Sequence, residues 1–319
     1  MQKNLTKYFF LAGFALLVLL PLASPTFIAE YYLDLLTKVL IFGIALLGYD
    51  ILAGYTGLVS LGHALFFGLG GYCAAFTINN YSTNLVPALV VALFFTLIIG
   101  LVVGYFSTQT KDIFFVFLTL AFAQFFYLAA FNLTTITGGD NGITIRKVTL
   151  GLPQLWESGV PRPVGFYYLT LFFFFLTYAI CRKVVNSPFG KVLEAIRENE
   201  ERVSFLGYNV RLLKIKSYMI SISLTAVAGV LFATYQNFVS PGMLYWVISG
   251  DFILMSVLGG MGTLIGPVIG GAIVLILGDW LSSLTENWMI FIGTFFVLII
   301  IFAPGGVVGL LARNQRSGN

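Results

Sequence analysis

The stretch Leu85-Val-Pro-Ala-Leu-Val-Val-Ala-Leu-Phe-Phe-Thr-Leu-Ile-Ile-Gly-Leu-Val-Val-Gly-Tyr-Phe-Ser107 decides what kind of protein this is. It carries no charge, and neither does any other position from 51 to 110. Crossing the hydrocarbon core of a bilayer takes about 20 apolar residues in a helix, because roughly 30 Å must be covered at about 1.5 Å each. Residues 8–29, 113–139, 163–181, 217–250, 252–278 and 287–312 are likewise uncharged. The strands of a membrane barrel would alternate in segments of about 10 residues. These runs are unbroken, so the spans are helices, which satisfy their own backbone hydrogen bonds where lipid offers no partner.

The whole chain agrees. Of its 319 residues 59% are hydrophobic, 16% aromatic and only 9% charged, with a mean hydropathy of +0.95. A soluble domain averages about 25% charged residues. Disorder, a secreted disulfide scaffold and an ordinary soluble enzyme are therefore excluded. The expected fold is an all-α polytopic transmembrane helix bundle forming one domain over residues 1–319. Its spans fall near 8–28, 33–53, 57–78, 85–107, 113–131, 165–181, 214–238, 247–258, 264–284 and 288–303. That makes about ten spans, the eighth too short to be an ordinary one.

Basic residues orient the bundle. Arg182, Lys183, Lys191, Arg197, Arg202, Arg211, Lys214 and Lys216 crowd into residues 182–216, which the positive-inside rule places in the cytoplasm. Lys3, Lys7, Arg313 and Arg316 put both termini on the same side. The loop 132–164 then lies outside, despite Arg146, Lys147 and Arg162. The first span has a second reading as a signal peptide, with small residues at Ala23–Ser24 and another span close behind. Cys73 and Cys181 lie in or beside apolar runs and read as small core residues.

The segment 182–213 is organised by its own sequence. Ser187 is a good N-cap, Pro188 suits the first helical position, and Gly207 suits a left-handed end, which predicts one helix over 188–206. Phe189, Val192, Leu193, Ile196, Val203 and Leu206 form an apolar stripe. Lys191–Glu194, Arg197–Glu201 and Glu198–Arg202 are spaced to pair, each pair contributing about 0.2–0.5 kcal/mol. Either the helix rests on the bilayer or it docks into a groove on a cytoplasmic partner.

Ser187-Pro-Phe-Gly-Lys-Val-Leu-Glu-Ala-Ile-Arg-Glu-Asn-Glu200, followed by Gly207, resembles the coupling-loop signature of the permeases of branched-chain amino acid ABC importers, more narrowly the LivM type. Gly57-Leu-Val-Ser-Leu-Gly-His-Ala64, Thr137-Gly-Gly-Asp-Asn-Gly142, Gly259-Gly-Met-Gly-Thr-Leu-Ile-Gly-Pro267 and Ala303-Pro-Gly-Gly306 resemble other segments of that family, in its order. The urea-permease branch is similar enough to leave the substrate open. The resemblance implies a bacterial inner-membrane subunit that forms the solute path together with a second homologous permease. It also implies two ABC ATPase subunits docking from the cytoplasm and an external, periplasmic substrate-binding protein. Ser187, Pro188, Phe189, Gly190, Glu194, Ala195, Arg197, Glu198, Asn199, Glu200 and Gly207 would then serve coupling to the ATPase. The chain contains no G-x-x-x-x-G-K-[ST] phosphate loop, so ATP and Mg belong on the partner subunits. No cofactor, metal or nucleic-acid partner is expected for this chain, and it is not expected to be an enzyme.

Two glycine-rich breaks point to the translocation path: Gly54, Gly57 and Ser60 at one, and Asp251, Gly259, Gly260 and Gly262 at the other. Interrupted helices survive at membrane depth only where they are buried in protein or line a wet cavity. Gly262, Gly266 and Gly270, like Gly100 and Gly104, also have the spacing for close helix packing. Asp251 reads as a helix entrance favoured by the dipole and Asp50 as an interfacial residue, or, where either carboxylate lies deep, as facing a cavity or a partner; His63 reads as a hydrogen-bonded packing histidine. The 137–142 stretch reads as a turn-rich external loop, where Asp140, Arg146, Lys147 and Arg162 could pair with a binding protein. A stand-alone secondary transporter or channel is the alternative of a different class. It would call for chains of buried ionisable groups, and the sequence offers only isolated ones.

Overall fold

The computed structural model describes residues 30–110, 112–146, 162–302 and 305–309. The expected first span, with its signal-peptide alternative, and the basic tail lie outside them. Helix α1 (Glu30–Asp50) runs on into a π turn at Ile51–Tyr55. Then come α2 (His63–Asn80), α3 (Leu85–Ser107), α4 (Asp112–Asn132) and α5 (Arg162–Val185). Two short helices, α6 (Pro188–Glu198) and α7 (Glu200–Phe205), lead to α8 (Val210–Gln236). Helices α9 (Trp246–Gly259), α10 (Ile265–Ser282) and α11 (Trp288–Phe302) follow.

Six of the described helical segments are long and apolar enough to cross a membrane, while α9 and α11 are shorter. This is an all-α, multi-pass membrane bundle. The π-extended α1 and α8 lie at its centre, with 72% and 67% of their apolar windows buried, against 28% and 22% for α3 and α4. Helix α3 shows how such a chain sorts its faces. Val86, Val90, Phe94, Leu97, Leu101 and Tyr105 point outward, while Ala88, Ala92, Thr96, Gly100 and Gly104 are buried. Lipid is as apolar as leucine, so the interior is chosen for closeness of approach rather than for hydrophobicity. Cβ atoms at Gly100 and Gly104 would meet Ile222 and Tyr218 of α8, so this pair packs as its spacing predicts.

The expected span at 57–78 starts late, because residues 56–62 leave the helix and α2 begins only at His63. The ladder at 262–270 also needs correcting. Gly266 and Gly270 press against the backbone of α9, but Gly262 sits in the turn before α10 with φ +79°.

Candidate functional site

The end of the bundle that carries α6 and α7 brings the two predicted breaks together. Ser187 caps α6 by accepting the Gly190 N–H at 3.3 Å, and a Cβ at Gly190 would strike the carbonyls of Val184 and Val185. Leu193 and Ile196 of α6 and Val203 of α7 are buried against Leu47, Ile51, Tyr55, Val210 and Leu264. Phe189 and Ala195 pack on the edge of that cluster. The buried part of the apolar stripe therefore seats on the chain's own helices. Leu206 departs from the stripe and is exposed.

The single helix expected over 188–206 is two. Asn199 turns the chain with φ −161° and ψ 100°, accepts the Arg202 N–H at 2.9 Å, and so caps α7. Lys191 and Glu194 pair at 2.9 Å as expected. Past Asn199 the helical register assumed for Arg197–Glu201 and Glu198–Arg202 no longer runs through. Glu200 instead pairs with the buried Lys214 of α8 at 2.5 Å. Gly207 takes φ +86°, the left-handed closing position its sequence predicts.

Arg197 leaves α6 and donates from Nη1 to the carbonyl of Gly54, at the end of the π turn. A Cβ at Gly57 would lie 2.8 Å from the Arg197 Cγ, and one at Gly262 would lie 2.9 Å from its Nη1. Asp50 is fully buried, which overturns its reading as interfacial. One carboxylate oxygen accepts the Gly262 N–H at 2.7 Å and the other the Leu264 N–H at 2.9 Å. A buried carboxylate demands such partners, and two backbone donors answer that demand. Leu264 itself has φ +60° and ψ −52°, a γ-turn closed by the Ile265 N–H on the Thr263 carbonyl at 2.8 Å. Such backbone costs a non-glycine residue about 1–3 kcal/mol and persists only where its surroundings hold it. The 56–62 segment is fixed just as firmly. Thr56 and Ser217 share a 2.6 Å hydrogen bond, and Gly62 N–H reaches the buried Ser60 Oγ at 3.1 Å. Next to it, His63 Nε2 meets Ser221 Oγ at 2.7 Å and its ring stands edge-on to Tyr49, as a packing histidine should.

The structure thus joins Gly54, Gly57 and Gly262 around Arg197 of α6, whereas Gly259 and Gly260 press on α10 and residues 305–308, and Ser60 is held by Tyr49. A polar cleft of about 320 Å³ lies between Thr56–Leu58 and the stretch Ile196–Glu201. Asp251 does not belong to this group. It sits well inside α9 rather than at its entrance, and faces a separate cavity of about 530 Å³ with Lys38 and Asp279.

At the opposite end, Gly138, Gly139 and Gly142 supply the positive φ of a turn-rich loop. It continues into β1 (Ile143–Thr144), which pairs antiparallel with β2 (Phe238–Val239). Asn79 grips the same segment, donating to the Thr144 carbonyl at 2.9 Å and accepting the Arg146 N–H at 3.0 Å. Asp140 and Arg146 are exposed; Lys147 and the side chain of Arg162 lie outside the described residues. Asn79→Ala removes both bonds and is expected to loosen this strap by about 1–2 kcal/mol. Faster hydrogen exchange confined to residues 143–146 would show it; unchanged exchange would refute the grip.

The family described as "Branched-chain amino acid transport system / permease component" matches residues 31–301, nearly the whole described bundle. The chain belongs to this family. LivM of Escherichia coli (strain K12), a high-affinity branched-chain amino acid transport system permease protein, is 28% identical over 322 residues, covering 95% of this chain and 76% of the relative. The probable LivM permease of Methanocaldococcus jannaschii is 28% identical over 276 residues, covering 76% of this chain and 78% of the relative. LivH of Escherichia coli (strain K12) is 29% identical over 126 residues, 39% of this chain and 40% of its own length. No solved structure matches the permease. Asp50 and Lys214 are residues of this candidate site that the sequence did not place there. The available signal was the spacing of Asp50 and Gly54, four apart and so on one face of a helix at the edge of a break.

Proposed function

We propose that this permease is one half of the translocation path of an ATP-driven importer of branched-chain amino acids. It pairs with a second, homologous permease, and an external binding protein supplies the amino acid. Two ATPase subunits, which hold ATP and Mg, dock on the outer side of α6 and α7. The basic end then faces the cytoplasm of a bacterial inner membrane, with both termini on that side. The observation that carries this reading is the seating of α6. Its apolar side is spent on its own bundle, while Lys191, Glu198 and Arg202 remain exposed as a polar docking face. A capped helix held this way can transmit a push from outside into the membrane. The names of the similar LivM and LivH proteins supply the substrate class.

Reconstitution tests it. Proteoliposomes holding the permease pair, both ATPases and the binding protein should accumulate leucine only with ATP, and omitting this chain or the ATPases should abolish uptake. Leucine uptake by this chain alone, without ATP, would overturn the reading.

A further inference from the structure

We infer that Asp50 and Arg197 form a two-part clasp binding α6 to both helix breaks, so that a displacement of α6 moves the 54–57 and 260–264 segments as one body. The inference rests on the importer reading and adds to it the route by which force enters the membrane. Three observations converge on it. The Asp50 carboxylate spans the junction, its two oxygens taking the N–H groups of Gly262 and Leu264. Arg197 spans the same junction from the other element, holding the Gly54 carbonyl. Three of the glycines at the breaks then have a shared reason to lack a side chain. The Cβ of Gly54 would fall on the Asp50 carboxylate, while those of Gly57 and Gly262 would fall in the space of the Arg197 side chain.

Beside these two polar links, Leu193 and Ile196 of α6 lie in one buried apolar cluster with Tyr55 and Leu264, so packing also holds α6 to both breaks. The polar cleft of about 320 Å³ opens beside the clasp, between Thr56–Leu58 and Ile196–Glu201, while Arg197 itself packs at Gly57. The backbone bend at Asn199 uncouples α7 from the axis of α6. Leu264 holds its positive-φ turn with its N–H on Asp50 and the Ile265 N–H on the Thr263 carbonyl at 2.8 Å, so releasing the carboxylate removes one of two ties on the turn. Asp50 and Arg197 act here as positioning residues, through the backbone groups of the two breaks.

The test uses the assembled complex in proteoliposomes, with Cys73 and Cys181 replaced by alanine. Spin labels at Val192→Cys on α6, outside the docking face, and Ile265→Cys beside the clasp report their separation by double electron–electron resonance. In the otherwise unaltered complex this distance should stay constant through ATP binding and hydrolysis. In Asp50→Asn it should change on ATP binding, and leucine moved per ATP should fall at least tenfold while hydrolysis falls much less. Arg197→Ala should give the same ratio, and the double variant should be no worse than either single, since the parts act in series. A distance that changes with ATP in the unaltered complex overturns the clasp even if Asp50→Asn fails to assemble. So does an Asp50→Asn complex with a normal transport-to-hydrolysis ratio. If the unaltered complex transports no leucine, the importer reading has failed, and the distance measurement still decides whether the two breaks follow α6.

Discussion

Gly229→Val is expected to lower the yield of folded permease at least tenfold and to broaden or abolish its thermal unfolding transition in detergent. Gly229 lies on α8 where that helix crosses α2, and a Cβ there would overlap the Phe67 carbonyl oxygen. The contact is reciprocal, because a Cβ at Gly70 on α2 would overlap the Ala226 carbonyl of α8. Overpacking costs about 1–3 kcal/mol when side chains can give way. Here the obstacle is backbone already committed to a helical ladder, so the cost is expected at or above the top of that range. Gly250→Ala is the matching control: nothing lies within 4 Å of that Cβ, and no loss is expected. Equal thermal midpoints for Gly229→Val and the unaltered protein would refute the close crossing of α2 and α8.

The second large effect is functional. Glu194→Lys should cut permease-stimulated ATP hydrolysis in the assembled complex at least tenfold, with the permease still folded. Folding has little to lose: the Lys191–Glu194 pair at 2.9 Å is partly exposed and spaced three residues apart, a geometry that contributes about 0.2–0.5 kcal/mol. Docking has more to lose, because a reversed charge at an interface sets like charges together at a cost of several kcal/mol. The two readouts separate these effects, one by size-exclusion profile and one by phosphate release. Undiminished hydrolysis would remove α6 from the ATPase interface. A compensating acidic substitution on the ATPase should restore activity if the contact is direct.

Much of this architecture was legible before any coordinates. The α3 stretch announces its own span, because transfer of an uncharged run into lipid depends only on the residues in the run. The caps of α6 were equally plain, since Ser187, Pro188 and Gly207 act on backbone groups within a few positions of themselves. The eighth span was short in sequence and is short in the bundle, at Trp246–Gly259. Asn199 shows where local reasoning stopped. Asparagine is tolerated within a helix, and only the pull of Glu200 toward Lys214 and of Arg197 toward Gly54 shows why the chain bends there.

By itself, then, the sequence determined a membrane-spanning helical bundle, the segment in which its basic residues collect, and the two places where helices break. Only the tertiary structure decided that the two breaks meet, that Asp50 closes the junction while Asp251 faces another cavity, and that the apolar side of α6 is already occupied. The physical reason is range. Hydropathy, capping and turn chemistry are set by neighbours in the chain, whereas a buried charge takes whatever donors the packed fold brings to it. For Arg197 that acceptor is 143 positions away, and for Asp50 the donors are 212 and 214 positions away.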